Sequence, residues 1–574
     1  MRPAPKDFEE RRDPRTGEKY LAVFRRGAAL KDDPLLSKGT CFTLEERQAF
    51  GLTGLLPPAV STPDGQASRA YGNFRRMPDD VGRYLFLASL QDRNETLFYQ
   101  LVCAHLEEML PIIYTPTVGL VCEQYSHNYR RPRGIYVSTA DRGHIVDLLR
   151  NAERDDVRII VATDNEAILG IGDQGVGGMG IAVGKVALYT AGAGVHPAHG
   201  MPLDIDVGTD NQTLLDDPLY LGVRHRRLRG DAYFSLMDEL VAGIKTVFPR
   251  ALVQWEDFAN EIAFQVMRRY RSELPSFDDD IQGTAAVVEA GIRTGLDRSG
   301  RRLADERLVF FGAGASGAGC AQQMRRALKA EGLADADVNR RVLCLDSRGL
   351  ILTDRAGLSG HKMDIAADPG VVSGWTSSAP GRFSLSDVVR HFAPTILVGV
   401  SGQPGSFTEE IIRNMHKGVA RPIVLTLSNP TNKVEARPED LVRWTNGAVI
   451  IGTGSPFAPV SFGGVTHHIG QCNNAFVFPG IGLGAIVVGA RAVPDEAFAA
   501  AAQALYRCTG QSDAPGASMF PAIATLRDVS GHVATAVARA LIACGAAPPM
   551  SDDQIGHQVA AAVWEPVYLP YREA

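Results

Sequence analysis

The stretch Leu308-Val-Phe-Phe-Gly312-Ala-Gly314-Ala-Ser-Gly317-Ala-Gly319 decides the fold of the second half of this chain. A short apolar run leads into a GxGxxG pattern, and a helix-forming segment follows it. Gly312 permits a tight turn, Gly314 lets a pyrophosphate approach the backbone, and Gly317 permits close packing of helix on sheet. This context favours a dinucleotide-binding βαβ unit over a plain strand-to-helix turn. The cofactor-binding residues predicted in the motif are Gly312, Gly314, Ala315, Ser316 and Gly317.

A carboxylate ends the next predicted strand. Asp346 follows the apolar run 342–345, at the position where an acid can hold the ribose 2′-hydroxyl of NAD. Ser347, Arg348 and, further along, Lys362 could instead accept the 2′-phosphate of NADP. The sequence therefore favours NAD and leaves NADP open.

Apolar runs alternate with helix-length segments along most of the chain, which predicts βαβ units and a parallel sheet. Five runs predict strands of a doubly wound sheet: 308–311, 342–345, 396–400, 423–427 and 448–451. Earlier strand candidates are 158–162, 203–207 and 252–255. Ahead of them, residues 42–110 have helical periodicity, and Thr43 with Glu46 predicts a capping box.

The fold class predicted is α/β, with a helical N-terminal domain, a parallel-sheet substrate domain and a Rossmann-type NAD(P) domain. The segments expected are 1–132 for the helical domain, 133–278 with 475–544 for the substrate and metal domain, 279–474 for the NAD(P) domain, and a tail at 545–574. We expect residues 1–40 to form an arm that lies on another surface.

Bulk composition excludes several classes of protein. A chain of 574 residues is too long for one hydrophobic core. A net charge of -6 argues against nucleic-acid binding, and 45% hydrophobic with 22% charged residues is typical of a globular protein. The eight cysteines have no paired spacing. We see no signal peptide and no apolar run of about 20 residues, so we expect a cytoplasmic protein.

Two acidic groups lie close together in the sequence. Glu256-Asp257 follows the run 252–255, and Asp278-Asp279-Asp280 comes about 20 residues later. Carboxylates at the carboxyl ends of parallel strands suit Mg²⁺ or Mn²⁺. The alternative is a solvated acidic surface, which the flanking aromatic residues disfavour.

Three further pieces of sequence are ambiguous when taken alone. Lys185 stands in an apolar helix and could be a base, but it could equally extend to the surface. It is not a P-loop lysine, because Met179 and Val186 break that pattern. Tyr114 precedes Thr-Pro and could simply be a turn aromatic. Polar loops that could present amides to a small ligand contain Asn429, Asn473 and Asn474.

Taken together and in order, these motifs make the chain resemble the malic enzymes over nearly its whole length. The match rests on 42–48, 51–58, Tyr114-Thr-Pro-Thr-Val-Gly119, Gly180–Lys185, Glu256-Asp257-Phe258, Asp279-Asp280-Ile-Gln-Gly-Thr284, Gly312-Ala-Gly314, Ser428-Asn-Pro-Thr431 and Gly454-Ser-Pro-Phe457. The resemblance implies oxidative decarboxylation of L-malate to pyruvate and CO₂ with reduction of NAD(P). It also implies dimers or tetramers, and no nucleic-acid or membrane partner.

The resemblance also implies residue roles. Glu256, Asp257 and Asp280 would bind Mg²⁺ or Mn²⁺. Lys185 would be the general base, with Asp279 adjusting its proton affinity, and Tyr114 the general acid. Asn429 would contact substrate and cofactor, and Asn474 the substrate, with Asn473 beside it.

Two positions depart from the better-known members. Ala167 stands where they have an arginine that pairs with a substrate carboxylate, so another cation must serve. Asp278 stands where asparagine is usual. The related malolactic enzyme, which converts malate to lactate with bound NAD, also lacks that arginine, so this activity stays an alternative. A non-catalytic dinucleotide-sensing module is a third reading, which the joint presence of Lys185, Tyr114 and the acids disfavours.

Overall fold

The computed structural model describes residues 7–168, 170–510 and 514–574. The described chain forms two compact units. The first unit comprises Met1–Val161, Gln174–Ala251 and Ala561–Ala574, and the second comprises Ala162–Asp173 and Leu252–Ala560. The finer division into domains drawn from the sequence stays a prediction.

The first unit is mainly helical. Its helices are α1 (Gly27–Lys31), α2 (Leu44–Ala49), α3 (Pro63–Arg75), α4 (Asp80–Gln91), α5 (Glu95–Ala104), α6 (Leu106–Ile113), α7 (Thr117–Glu123), α8 (Tyr125–Asn128), α9 (Ile145–Arg150), α10 (Met179–Ala193), α11 (Gln212–Asp216) and α12 (Gly230–Val247). Its strands are β1 (Phe8–Arg12), β2 (Lys19–Val23), β3 (Ile135–Ser138) and β5 (Gly200–Asp206), and β4 (Ile159–Thr163) runs from this unit into the second.

Side-chain caps divide the helical region into short helices. Thr43 and Glu46 form the predicted capping box at the start of α2. The side chains of Thr62, Asp79 and Asn94 accept hydrogen bonds from backbone N–H groups in the first turns of α3, α4 and α5. Each cap satisfies a donor that the helix cannot, so the helix boundaries are set locally.

Residues 7–40 do not form an arm, so this expectation is wrong for them, and residues 1–6 lie outside the described residues. Strands β1 and β2 pair antiparallel, and the following segment folds onto a hydrophobic cluster. The buried members of that cluster are Val23, Leu30, Leu36, Phe42, Phe50 and Leu52. The apolar residues between the charged ones supply enough buried surface to hold the segment in the unit.

The second unit carries the remaining helices and most of the strands. The strands are β6 (Leu252–Glu256), β7 (Ser276–Asp278), β8 (Leu308–Phe311), β9 (Val342–Asp346), β10 (Gly349–Leu350), β11 (Ile396–Gly399), β12 (Ile423–Thr426), β13 (Ile450–Thr453), β14 (Val460–Phe462), β15 (Val465–His467) and β16 (Gly470–Gln471). The helices are α13 (Asn260–Tyr270), α14 (Thr284–Ser299), α15 (Ala315–Ala330), α16 (Asp335–Arg341), α17 (Gly360–Met363), α18 (Leu385–Phe392), α19 (Glu409–Gly418), α20 (Pro438–Trp444), α21 (Phe478–Val487), α22 (Asp495–Cys508), α23 (Leu526–Ala543) and α24 (Asp552–Ala562).

A seven-stranded sheet organises this unit, in the order β10-β9-β8-β11-β12-β13-β16. All neighbouring pairs are parallel except β10 with β9. The chain moves outward from β8 to β9 and then returns to the other side of β8 with β11. This reversal confirms the predicted doubly wound sheet, and it opens a crevice at the carboxyl ends of β8 and β11.

Gly312 lies in that crevice, directly after β8. Its φ is 117°, and a Cβ there would lie 2.4 Å from the carbonyl oxygen of Val400 at the end of β11. Only glycine has room for this turn. This geometry is what a tight turn at Gly312 requires, and the predicted contact of Gly312 with a cofactor stays a prediction.

The C-terminal residues return to the first unit. Strand β17 (Tyr571–Glu573) pairs parallel with β2. The Tyr571 ring lies edge-on to Phe42, with a centroid separation of 5.9 Å, and the Lys38 Nζ is 3.8 Å from the centroid of the ring. The Tyr571 hydroxyl donates to the carbonyl of Leu36 at 2.9 Å. The last residues of the chain thus complete the N-terminal hydrophobic cluster.

We expect Tyr571→Ala to lower the free energy of unfolding by about 3 kcal/mol, because it removes an aromatic ring and a cation–π contact from this cluster. Urea titration followed by circular dichroism measures the shift. Val567→Ala is a matched control in the same segment, since Val567 is 58% exposed and its loss should change stability by less than about 0.5 kcal/mol. Equal shifts for the two variants would contradict a packing role for Tyr571.

The helical stretch Gly175–Ala193 is by length and composition apolar enough to cross a membrane, so the expectation that the chain has no such apolar run is wrong. Of its apolar window, 94% is buried inside the protein. Such burial is typical of a core helix, and it explains why the stretch lacks a polar face.

Candidate active site

Two predicted catalytic residues meet in the first unit. Lys185 lies on α10 and is 1% exposed, so the alternative of a surface lysine is wrong. Tyr114 is the residue at which α6 ends. The Lys185 Nζ lies 5.4 Å from the centroid of the Tyr114 ring. An amine and a phenol thus lie close enough to act on one small substrate.

Gly184 makes this approach possible. A Cβ at Gly184 would lie 2.9 Å from the carbonyl oxygen of Ile113 and 3.2 Å from Cδ2 of Tyr114. The helix can therefore pass directly against the segment that holds the tyrosine. The position of Tyr114 relative to Lys185 depends on the missing side chain at 184.

We expect Gly184→Ala to lower kcat about tenfold, because the added methyl displaces Tyr114, and small displacements of reacting groups have large effects on rate. Steady-state kinetics with L-malate, the substrate that the resemblance implies, measures the change in kcat. Gly72→Ala is the control, since Gly72 is helical and a Cβ there would meet nothing within 4 Å. An unchanged kcat in Gly184→Ala would contradict the positional role.

The predicted metal ligands meet in the second unit. Strand β6 ends at Glu256, with Asp257 next, and Asp280 follows β7. Because β6 and β7 are parallel neighbours, their carboxyl ends lie together. Ligand oxygens of Glu256, Asp257 and Asp280 all lie within 4.8 Å of one another. The alternative of a solvated acidic surface is wrong, because Glu256 and Asp257 are buried.

Hydrogen bonds and backbone geometry fix this cluster. The Asp257 N–H donates to Oδ2 of Asp280 at 2.8 Å, and the Gln254 amide donates to Oε2 of Glu256 at 2.8 Å. Asp257 has a φ of 59°, in the left-handed region that non-glycine residues rarely adopt. Strained residues of this kind are common at functional sites.

The carboxylates beside the cluster suit a divalent cation. Asp278 is fully buried, and burial together with the negative charge of Asp280 raises its pKa well above the ordinary range. Its Oδ1 accepts the N–H of Ile281 at 2.9 Å, whereas its buried Oδ2 accepts no hydrogen bond from any described residue. This much negative charge in one place is stabilised by a cation, and oxygen ligands of this type fit Mg²⁺ or Mn²⁺.

Asp279 and Asn474 also lie together. The Asn474 amide donates to Oδ2 of Asp279 at 3.0 Å and to the Thr284 hydroxyl at 2.9 Å. The Asn473 Oδ1 accepts the N–H of Ala475 at 2.9 Å and caps a short turn, and the predicted contact of Asn473 with the substrate stays a prediction. Of these two asparagines, Asn474 is therefore the one whose side chain is hydrogen-bonded to the carboxylate of Asp279.

Asn429 follows β12, at the carboxyl edge of the seven-stranded sheet. Its Oδ1 accepts a hydrogen bond from the Ser455 hydroxyl, and its amide donates to the carbonyl of Leu427 at 3.5 Å. These contacts hold the Asn429 side chain in a defined orientation. Its predicted contacts with substrate and cofactor stay a prediction.

The glycine-rich loop borders a cavity of about 600 Å³ in the second unit. The cavity is lined by the predicted Gly312, Gly314, Ala315, Ser316, Gly317 and Asp346, and also by Asp280, Asn260, His361 and Lys362. The start of α15 lines this cavity, and the first turn of a helix favours the binding of an anion. The predicted cofactor residues of the motif therefore share one cavity with a predicted metal ligand.

Asp346 is engaged by two cations. Arg355 donates to both of its oxygens, at 3.0 and 2.6 Å, and Lys362 donates to Oδ2 at 2.8 Å. Burial raises the pKa of Asp346, but the hydrogen bonds from Lys362 and Arg355 outweigh it and lower the pKa below the usual range. This part of the cavity therefore carries an ionised carboxylate paired with two cationic side chains.

Sequence reasoning missed three residues of this cavity or its surroundings. The Asn260 Oδ1 accepts the N–H of Ala315 at 2.7 Å. This hydrogen bond joins the end of the loop between β6 and α13 (residues 257–259, called the metal loop below) to the start of α15. Arg355 pairs with Asp346, and His361 is buried and stacked on Phe264. Asn260 could have been found, since it opens a helix three residues after Asp257. Arg355 lies in a loop and His361 in the short helix α17, and neither position has a local sequence signal.

The fold and this cavity define a dinucleotide-binding α/β protein with a cluster of carboxylates that could hold a metal ion. The family model described as "Malic enzyme, N-terminal domain" matches residues 91–271, and the one described as "Malic enzyme, NAD binding domain" matches residues 281–542. The chain belongs to the malic enzyme family.

Relatives and solved structures agree with this assignment. The chain is 46% identical over 557 residues to an NAD-dependent malic enzyme of Acinetobacter baylyi, covering 97% of this chain and 98% of that protein. It is 47% identical to one of Sodalis glossinidius, covering 96% and 98%. The crystal structure of Entamoeba histolytica malic enzyme is similar in fold, with a TM-score of 0.55, 22% identity, and coverage of 89% of this chain and 91% of that one.

Proposed function

We propose that this protein catalyses the oxidative decarboxylation of L-malate to pyruvate and CO₂, with reduction of NAD and with a bound Mg²⁺ or Mn²⁺. The observation that carries the proposal is the cluster of Glu256, Asp257 and Asp280, because it lies in the unit that holds the dinucleotide cavity. Relatives at 46–47% identity over nearly the whole chain, named NAD-dependent malic enzymes, support the activity and the cofactor.

The proposed chemistry divides between the bound groups and the side chains. When bound, the metal supplies a Lewis acid at the C2 oxygen and NAD supplies the hydride acceptor. Lys185, as a neutral amine, takes the proton from the 2-hydroxyl. Tyr114 later donates its phenolic proton to C3 of the enolate left by CO₂, and the phenol regains a proton before the next turnover. The close contact of Lys185 with Tyr114 supports this pairing.

Further residues have proposed supporting roles. Asp279 adjusts the proton affinity of Lys185. Asn474, which is hydrogen-bonded to Asp279, orients the substrate, and Asn429 contacts substrate and cofactor. Asn473 holds the turn that presents Asn474. Asp346 binds the adenosine ribose, and the cations Arg355 and Lys362 beside it leave NADP as a second, poorer cofactor.

The activity is tested with purified protein, L-malate and Mn²⁺, with NAD or NADP, by absorbance at 340 nm and by identifying the organic product. We expect pyruvate, reduced cofactor, a higher kcat/KM with NAD, and loss of turnover in excess EDTA. Lactate formed without reduced cofactor would instead indicate the malolactic reaction. Turnover that survives EDTA would reject the metal.

We also propose a cytoplasmic homodimer or homotetramer. The described part of the first unit exposes several large apolar side chains, among them Leu120, Tyr129, Leu219 and Leu221, each between 42% and 55% exposed. The Leu221 N–H donates to the Ser126 hydroxyl, and this hydrogen bond joins two of the segments that carry these exposed apolar side chains. Such surfaces are common at subunit contacts. Light scattering on the purified protein gives the mass, and a monomer at all concentrations would overturn this proposal.

A further inference from the structure

L-Malate carries two carboxylates, and the proposed metal site does not offer enough positive charge for both. Three carboxylate ligands and one divalent cation leave one negative charge at the site. A carboxylate buried without a cation or several donors carries a large desolvation penalty. A further cation near the metal cluster would offset this charge.

The loop of residues 164–173 borders the cluster but offers no cation where it touches the metal loop. The Ala167 N–H donates to the carbonyl of Asp257 at 2.9 Å, so this residue is in direct contact with a proposed metal ligand. Its side chain is a methyl group, and the charged residues of the loop, Asp164, Glu166 and Asp173, are all acids. A cation has to come from another segment.

Lys433 reaches the same loop. Its Nζ donates to the carbonyl of Gly170 at 3.0 Å. The backbone of Gly170, with a φ of 86°, is pressed against the segment that contains Lys433, because a Cβ there would lie 3.0 Å from Cδ of Pro430 and 3.2 Å from the carbonyl of Asn429. The loop, the lysine and the predicted substrate residue Asn429 are therefore packed together.

The charge of Lys433 is not neutralised by any described carboxylate. Its recorded partner is the neutral carbonyl of Gly170. By contrast, Lys362 and Lys329 in the same unit pair with Asp346 and Asp335. An ammonium at the surface whose hydrogen-bond partner is one neutral carbonyl can exchange that partner for a carboxylate, a stronger acceptor.

The distances permit that exchange. Gly170 is three positions after Ala167 in the sequence, so their Cα atoms are at most about 11 Å apart even in an extended chain. A lysine side chain has four rotatable methylene groups and can move its ammonium by several ångströms. We propose that Lys433 binds a carboxylate of malate and so supplies the charge that Ala167 cannot. This inference rests on the proposed malate activity.

The test is Lys433→Gln in the full-length enzyme with Mn²⁺. Loss of one charge-assisted hydrogen bond should raise KM for malate about 10–100-fold and leave KM for NAD within about twofold. Lys433→Arg keeps the charge and should stay within about threefold of the parent. Lys417→Gln, an exposed lysine of the same unit, is the control and should have no effect.

A second-site rescue tests the location. In the double variant Ala167→Arg, Lys433→Gln, a guanidinium lies beside the metal loop. This variant should have a KM for malate at least tenfold lower than that of Lys433→Gln alone. An unchanged KM in Lys433→Gln, or a parallel rise of both KM values, would overturn the inference. A parent enzyme without malate turnover would instead refute the proposed function, so the two failures are distinguishable.

Discussion

Lys185→Met is expected to lower kcat about 10³-fold, within the range by which a positioned general base accelerates a reaction. Methionine has nearly the volume of lysine and packs well in apolar surroundings, so the buried position on α10 tolerates it. The variant loses the group that takes the hydroxyl proton, but it keeps the metal cluster and the dinucleotide cavity, which lie in the other unit. Binding of NAD, measured by fluorescence, should therefore be unchanged.

The pH profile separates a chemical role of Lys185 from a structural one. The parent kcat should rise with pH as the base loses its proton, and this rise of kcat should be absent in Lys185→Met. Lys417→Met, on the exposed side of α19, is the matched control and should retain the parent kcat and pH profile. Full activity in Lys185→Met would refute the assignment of the base.

Asp280→Asn is expected to have the second large effect, a fall in turnover of about 10³-fold at ordinary Mn²⁺ concentrations. Asparagine keeps the shape of the side chain but removes one of the three charges that attract the cation. The Asp257 N–H can still donate to the amide oxygen, so the loop between β6 and α13 should keep its conformation. Raising Mn²⁺ to millimolar levels should recover part of the activity.

Mn²⁺ binding can be measured without turnover, by the electron paramagnetic resonance signal of the free ion. We expect affinity to fall by at least tenfold in Asp280→Asn. Glu410→Gln removes an exposed acid from α19 and should leave binding unchanged. Equal Mn²⁺ affinity in Asp280→Asn and the parent protein would show that this carboxylate is not a ligand.

Local sequence was enough to predict five of the seven strands of the main sheet, because each of the five is an apolar run bounded by turn residues, and the glycine pattern specifies the turn after β8. The two-residue strands β10 and β16 have no such run and were not predicted. The helix caps were predictable for the same reason, since Thr43 and Glu46 act within one turn. The N-terminal segment was misjudged because its partner β17 lies more than 500 residues away, and no local pattern reveals such a pairing.

The site was predictable where residues follow parallel strands, because the strand ends must meet. Glu256 and Asp280 are of this kind. Contacts made through loops were not predictable, and the pairing of Arg355 with Asp346 is one. The hydrogen bond of Lys433 to Gly170 is another, since it joins positions 263 residues apart.

The most direct test of the central claim is the product stoichiometry with uniformly ¹³C-labelled L-malate, followed by NMR with NAD and Mn²⁺. The account predicts one pyruvate, one CO₂ or bicarbonate and one NADH for each malate consumed, and no reaction in excess EDTA. Conversion of malate to lactate at constant NADH, or no consumption of malate, would contradict it.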